Sequence, residues 1–182
     1  MTGPVYAATE RFGPWDGAWD RYIEGSGLTQ LTEVVSLDGA LCPSVVKKPE
    51  PGDWDYIVKE EFMLDFFLFV DLNYLLKRIG TVENRNLLCV FRNPDDVPSP
   101  PPQSYRCRWE GCDLVEARTS ISALTNCLGG FPLAFSHDEL SSHGLLPSVQ
   151  RGRQVQEALR AKYPGDPHAD CDVWAIYRFV PA

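Results

Sequence analysis

The clearest candidates for reaction chemistry are one cysteine and two histidines in the second half of the chain. Cys127 stands just before Gly129-Gly130, and His137 and His168 follow it. A cysteine thiolate with a histidine as its base is a nucleophile for acyl or group transfer, so these residues define a small hydrolase or transferase as one hypothesis. No cysteine-protease sequence and no G-x-S-x-G elbow accompanies them. We therefore favour a second interpretation, in which Cys127 is a buried, unreactive thiol.

Two close pairs of residues raise the question of a metal site. Cys107 and Cys112 are separated by four residues, and His168 and Cys171 are separated by two. Structural zinc sites need two tight pairs that converge on a tetrahedral centre, and the strand pattern around 107–112 makes convergence uncertain. The glycine pair is followed by Phe-Pro rather than by a lysine, unlike a phosphate-binding loop. The sequence predicts no metal and no cofactor.

The acids most suited to contact a partner lie at the end of the strongest strand pattern. Asp113 and Glu116 stand where residues 105–116 pass from an alternating segment into a polar turn. Acidic and aromatic side chains together form typical contact surfaces, with the aromatic residues as anchors. The predicted binding residues are Trp109, Glu110, Asp113, Glu116, Asn126 and Phe131.

The net charge and the apolar pattern limit the classes of partner that this protein is expected to bind. The 182 residues carry a formal net charge of −8, which disfavours nucleic acid and favours a basic protein partner. The sequence lacks the roughly 20 consecutive apolar residues that span a bilayer, and its N-terminus lacks the pattern of a secretory signal. We therefore predict a cytoplasmic protein without membrane contact, in which the six cysteines are reduced.

This general character, a small acidic chain without a catalytic motif, is common among bacterial proteins. It is also similar to that of immunity proteins that neutralise polymorphic toxins, although the likeness is one of composition and rests on no motif. The resemblance implies a non-enzymatic scaffold that presents an acidic patch to a basic toxin. Our leading hypothesis is accordingly a protein-binding module of this type. The alternatives are the Cys127 enzyme and a small-ligand-binding or structural subunit that uses an aromatic N-terminus; the oligomeric state stays open.

The elements that position these residues indicate one α+β domain spanning residues 1–182. We predict a mostly antiparallel sheet of four to six strands, packed by three to five helices. The predicted strands are 31–37 and 40–47 as a hairpin around Asp38-Gly39, then 86–92, 105–116 with a bulge at Gly111, and a central strand at 172–180. Segments 86–92 and 105–116 are predicted to pair across the proline-rich loop 94–104.

Capping residues and apolar spacing predict the helices. The aromatic segment 1–27 contains Trp15, Trp19 and Tyr22 at the spacing of one helical face. Residues 54–80 suggest two helical pieces, the second between Asp71 and Gly80, and leave 64–70 open between strand and helix. Further helices are predicted after Ser120, after Ser136 with Glu139 as its capping-box partner, and at 149–163 after Ser148.

Overall fold

A four-stranded antiparallel sheet forms the centre of the molecule. The computed structural model describes residues 3–58, 66–81, 83–99, 106–116, 118–126 and 130–180. The strands are β1 (Val5–Glu10), β2 (Arg85–Arg92), β3 (Arg106–Glu116) and β4 (Cys171–Val180), in the order β1-β2-β4-β3. The described residues also form three α-helices, so the predicted α+β class and, for this part of the chain, the predicted numbers of strands and helices are confirmed.

Strand β4 is central, as predicted, because both its faces are apolar. Val173, Ala175, Tyr177 and Phe179 contribute to one hydrophobic cluster, and Trp174 and Ile176 contribute to another. Since successive side chains of a strand point to opposite faces, these two clusters lie on the two sides of the sheet. All three α-helices contribute to the first cluster. The second is closed by irregular segments that include Val35, Leu37, Phe66 and Leu68.

The bulge predicted at Gly111 is present in β3. The register of β3 against β4 shifts between Trp109 and Gly111, and Gly111 has a φ of 137°. A Cβ at this position would lie 2.5 Å from the carbonyl oxygen of Leu146, so only glycine fits. The predicted pairing of 86–92 with 105–116 is wrong, because β4 lies between β2 and β3.

Strand β1 was not predicted. It pairs with β2, more than 70 residues away in the sequence, and its outer edge is covered by single bridges from Tyr6 to Phe69 and from Thr9 to Ser44. The hairpin predicted for 31–47 is absent. Its residues form turns and isolated bridges, such as that between Phe12 and Val34. This segment therefore covers the core as irregular chain rather than as a pair of strands.

Two of the predicted helices keep their predicted caps. Helix α2 (Leu72–Ile79) begins with the Asp71 carboxylate accepting the N–H of Tyr74, and Gly80 follows it with a φ of 72°. Helix α3 (Val149–Lys162) begins with the Ser148 hydroxyl accepting the N–H of Arg151. The Ser136 capping box is also present, although it opens only a short 3-10 helix at His137–Glu139.

Other helix predictions differ from the structure. Helix α1 (Trp19–Ser26) begins later than expected, and Ser120 has a φ of 52°, so it caps no helix. In place of the first helical piece predicted within 54–80, the described residues form only a 3-10 helix at Pro51–Asp55, and no helix is present at 66–70. Residues 64–65, which the sequence leaves open between strand and helix, and most of the proline-rich loop lie outside the described part of the chain.

Two further features concern the state of the cysteines and the possibility of a membrane-spanning helix. The described cysteines, Cys42, Cys89, Cys107, Cys112 and Cys171, are free thiols. Among the described residues, no helix has the length and apolar content needed to cross a membrane.

Candidate functional site

Two predicted binding residues, Trp109 and Glu110, lie in the first half of β3. The indole of Trp109 packs edge-on against Tyr177, with ring centroids 5.1 Å apart. The Glu110 carboxylate is only 2% exposed and accepts hydrogen bonds from Arg108 and Arg178, both at 2.9 Å. Its second oxygen lies 2.6 Å from Nδ1 of His143. Glu110 is therefore held inside an ionic cluster and does not form an open acidic patch.

The surroundings of Glu110 determine its charge. Burial alone would raise the pKa of its carboxyl, but hydrogen bonds from His143 and Arg108 and the charge of Arg178 lower that pKa to about 2. A carboxylate with several cationic donors stays ionised in a low-dielectric site because those donors replace its hydration. Glu110 is thus a permanent anion at physiological pH.

Asp113 is completely buried in a second polar cluster. Its two oxygens accept hydrogen bonds from the hydroxyls of Ser36 and Ser122, the latter at 2.6 Å, and from the N–H of Leu114 at 2.8 Å. Burial raises the pKa of this carboxyl to about 6, although the bonds from Ser122 and Ser36 act in the opposite direction and the nearby charge of Asp38 adds to the rise. This carboxyl is therefore not exposed for contact with a protein partner.

Asp38 joins the same cluster from the loop at 36–41. One of its oxygens accepts the N–H of Ala40 and Leu41, at 2.9 and 3.0 Å, and the other accepts the N–H of Ser122 at 2.9 Å. Burial raises the pKa of the Asp38 carboxyl, against the effect of these backbone donors. Both serines contact both aspartates, so this cluster ties two irregular segments, around Ser36–Asp38 and around Ser122, to β3. Asp38-Gly39 was predicted only as a turn dipeptide, and no local pattern indicates its pairing with Asp113.

Glu116 and His168 meet at the end of β3. The Glu116 carboxylate accepts a hydrogen bond from the hydroxyl of Thr119. Nδ1 of His168 lies 3.2 Å from the same carboxylate, within ion-pair distance but without the alignment of a hydrogen bond. Glu116 is 5% exposed. Both groups thus face the interior.

The two remaining predicted binding residues are also buried. The side-chain amide of Asn126 donates to the carbonyl of Ala123, and Phe131 packs edge-on against Tyr163 with centroids 4.9 Å apart. The structure therefore does not bring the six predicted residues together on one exposed surface. Of the six, Trp109 remains as a candidate contact residue, and it is half-buried.

The nucleophile of the enzyme hypothesis, Cys127, lies outside the described residues. Of its candidate bases, His168 faces Glu116, whereas His137 is half-buried beside Gly130. A Cβ at Gly130 would lie 3.1 Å from Nε2 of His137, so this imidazole borders Gly130. Within the described ranges, no group of three or more His, Cys, Asp or Glu side chains is arranged to hold a metal ion.

An exposed aromatic and acidic surface exists elsewhere, at the N-terminus. Trp15 is 57% exposed. The acids Asp16, Asp20 and Glu24 follow it at intervals of four residues and are all exposed, the last two on the outer side of α1. The three aromatic residues predicted to share one face do not do so: Trp15 is exposed, whereas Trp19 and Tyr22 pack on Phe12 in the core. The four-residue acidic spacing was the available sequence signal for this surface.

Comparison of the chain with protein-family models, with characterised proteins and with solved structures finds no match.

Proposed function

We propose that this protein is a non-enzymatic protein-binding module whose contact surface is formed by Trp15 and the acidic outer side of α1. The observation that carries the proposal is the exposure of Trp15, 57%, in a segment whose next residue is Asp16 and whose following helix exposes Asp20 and Glu24. Exposed tryptophans at the centre of a charged rim are frequent anchors of protein interfaces. The contact surface thus moves from the residues of β3 to the N-terminal segment.

Trp15 is held in place although it is exposed. Its ring lies over Gly13, where a Cβ would come within 2.6 Å of ring atoms, and the guanidinium carbon of Arg11 lies 4.5 Å from the ring centroid. A side chain that is ordered before binding loses little conformational entropy when a partner covers it. Trp15 therefore has the properties of a preformed anchor.

The exposed acids specify the chemistry of the partner. Three carboxylates within one short segment, on a chain with a net charge of −8, favour a partner with a basic surface. The most concrete version is an immunity-type protein that neutralises a toxin in the cytoplasm by covering its basic active site. Charge attraction would speed such an encounter and would be screened by salt, since the Debye length is about 8 Å at physiological ionic strength.

Affinity capture with matched variants tests the proposal. The tagged protein is used to capture partners from host lysate at low and high salt, alongside Trp15→Ala and Glu24→Lys. Trp54→Ala and Glu157→Lys are the controls, because Trp54 is 51% exposed and Glu157 is an exposed helical glutamate, both on other elements. We expect one basic partner that both controls retain, that Trp15→Ala loses, and that Glu24→Lys weakens most at low salt. Equal capture by Trp15→Ala and the wild type would refute this surface.

A second candidate function, the cysteine-dependent hydrolase or transferase, is favoured by the position of His137 beside Gly130. It requires a reactive Cys127 thiol. Native alkylation followed by mass mapping distinguishes the two proposals: the binding module predicts slow labelling of Cys127, whereas the enzyme predicts fast labelling that His137→Gln slows.

A further inference from the structure

One end of the sheet collects an arginine from each of its four strands or their flanks. Arg11 directly follows β1, Arg85 is the first residue of β2, and Arg178 and Arg108 belong to β4 and β3. Because neighbouring strands are antiparallel, the end of β1, the start of β2, the end of β4 and the start of β3 lie at the same edge. All four side chains line one surface cleft of about 290 Å³.

The four arginines outnumber the three carboxylates of this region, which are Glu33, Glu110 and the exposed Glu83 that also lines the cleft. Glu33 accepts hydrogen bonds from Arg11, at 2.7 and 3.0 Å, and from Arg178 at 2.9 Å. Glu110 is shared by Arg178, Arg108 and His143. Burial alone would raise the pKa of Glu33, but the hydrogen bonds from Arg11 and Arg178 lower it. The buried acids are thus fully ionised and already divided between several cations.

Arg85 differs from the other three arginines because it has no acidic partner in the described part of the chain. One terminal nitrogen donates to the carbonyls of Ile79 and Thr81, at 2.9 and 3.2 Å. Its Nε and its other terminal nitrogen have no hydrogen-bond partner among the described residues. The Arg108 side chain is 55% exposed and likewise keeps one terminal nitrogen without a described partner. The cleft therefore offers N–H donors from two half-exposed guanidinium groups.

We propose that this cleft binds the oxyanion group, phosphate or carboxylate, of a small-molecule ligand. The planar fork of a guanidinium matches the two oxygens of such a group and forms charge-assisted hydrogen bonds with them. A neighbouring depression of about 670 Å³, which shares Arg11 and Arg85 and is bordered by Trp15, gives room for the remainder of the ligand. This inference goes beyond the proposed protein contact: its anion-binding side chains are those of Arg85 and Arg108, and it shares with that contact only Trp15, at the border of the depression.

Titration with simple anions tests the site. The full-length protein is titrated with inorganic phosphate and, separately, with acetate at constant ionic strength, and the arginine Nε–H resonances are followed by NMR. We expect saturable shifts with a Kd on the order of 1 mM for phosphate, as suits a few charged contacts. Saturation by phosphate alone identifies a phosphate-bearing ligand, and saturation by both anions identifies a ligand class that includes carboxylates.

Three variants locate the binding. Arg85→Gln and Arg108→Gln should each raise the Kd at least tenfold, whereas Arg160→Gln, an exposed arginine on α3, should leave it unchanged. Arg85 also contacts the end of α2, so the thermal transition of each variant is measured, and Arg108→Gln serves as the test if Arg85→Gln does not fold. The proposal is overturned if the wild type shows no saturable shift for either anion, or if neither cleft variant changes the Kd.

Discussion

Replacing Asp113 with asparagine should remove most of the pH dependence of the protein's stability between pH 4 and pH 6.5. The Asp113 carboxyl is completely buried, and its pKa of about 6 lies above the ordinary value of 3.8. The folded state therefore binds this proton more tightly than the unfolded chain does. The resulting stabilisation is fully present below pH 3.8 and is lost as the pH rises through 6.

The size of the effect follows from the difference between the two pKa values. A shift of about two units corresponds to roughly 3 kcal/mol, at about 1.36 kcal/mol per unit. That is a large share of the 5–15 kcal/mol by which domains are typically stable. For a chain of this size it amounts to a fall in Tm of about 6–12 °C. The raised pKa of Asp38, which shares Ser36 and Ser122 with Asp113, adds a slope of the same sign.

Urea unfolding at half-unit steps from pH 4 to pH 7 measures this slope. The wild type and Asp55→Asn should lose stability as the pH rises, because Asp55 is an exposed aspartate outside the cluster. Asp113→Asn keeps the shape and an acceptor for the N–H of Leu114, and should show a flatter profile. A wild-type profile without a fall in this range, or an Asp113→Asn profile parallel to it, would refute the assignment of a buried, proton-binding carboxyl.

Three further substitutions test other parts of the structure by the free energy of unfolding at pH 7. Gly111→Ala should destabilise by more than about 2 kcal/mol, since its Cβ would lie 2.5 Å from a carbonyl oxygen and its φ is 137°; a change below 0.5 kcal/mol would contradict the bulge. Glu110→Gln should cost about 3 kcal/mol, as expected when one member of a buried ion cluster is removed; a neutral result would place the carboxylate in solvent. Ser148→Ala should cost about 1 kcal/mol through loss of the α3 cap, and Ser148→Asp should restore it.

Helix ends could be predicted from the sequence because their determinants are local. Asp71 and Ser148 each accept an N–H three residues later, and Gly80 follows α2 with positive φ. These interactions depend only on neighbouring residues. Strand partners have no such local determinant. The pairing of β3 with β4 rather than with β2 joins segments more than 50 residues apart, and the sequence pattern of β3 is compatible with either neighbour.

The same distinction between local and distant determinants explains why the binding residues predicted on the second half of β3 are buried. Alternation along β3 implied that every second side chain faces solvent, but residues 111–116 are all buried. Bridges from Cys112 to Leu146 and from Val115 to Ser122 cover the edge of the strand after the bulge. Exposure there depends on segments that arrive from elsewhere in the chain. Asp113 was predicted to contact a partner, yet its carboxyl binds two serines of the fold.

The two buried ionic clusters predict an acidic optimum of stability. The pKa of Glu110, about 2, lies below its ordinary 4.5, so its contribution is fully present above pH 4.5 and is lost as the pH falls through 2. Asp113 acts in the opposite direction above pH 3.8. Stability therefore rises with pH up to about 4.5 because of Glu110 and falls above about 3.8 because of Asp113. We expect the highest Tm near pH 4–5 rather than near neutrality. Glu110→Gln should flatten only the acidic side of the profile, and Asp113→Asn only the side above pH 4.

An optimum that stays near pH 7 in the wild type would mean that the Asp113 carboxyl gains enough hydrogen bonding to offset its burial. In that case the three donors to Asp113 would dominate over desolvation, and Ser36→Ala with Ser122→Ala should then move the optimum toward acid. If desolvation dominates, as the complete burial of this carboxyl implies, the same pair of substitutions should leave the optimum acidic and steepen the fall above it. The direction of that change separates the two accounts, because serine hydroxyls stabilise the ionised carboxylate and their removal raises its pKa further.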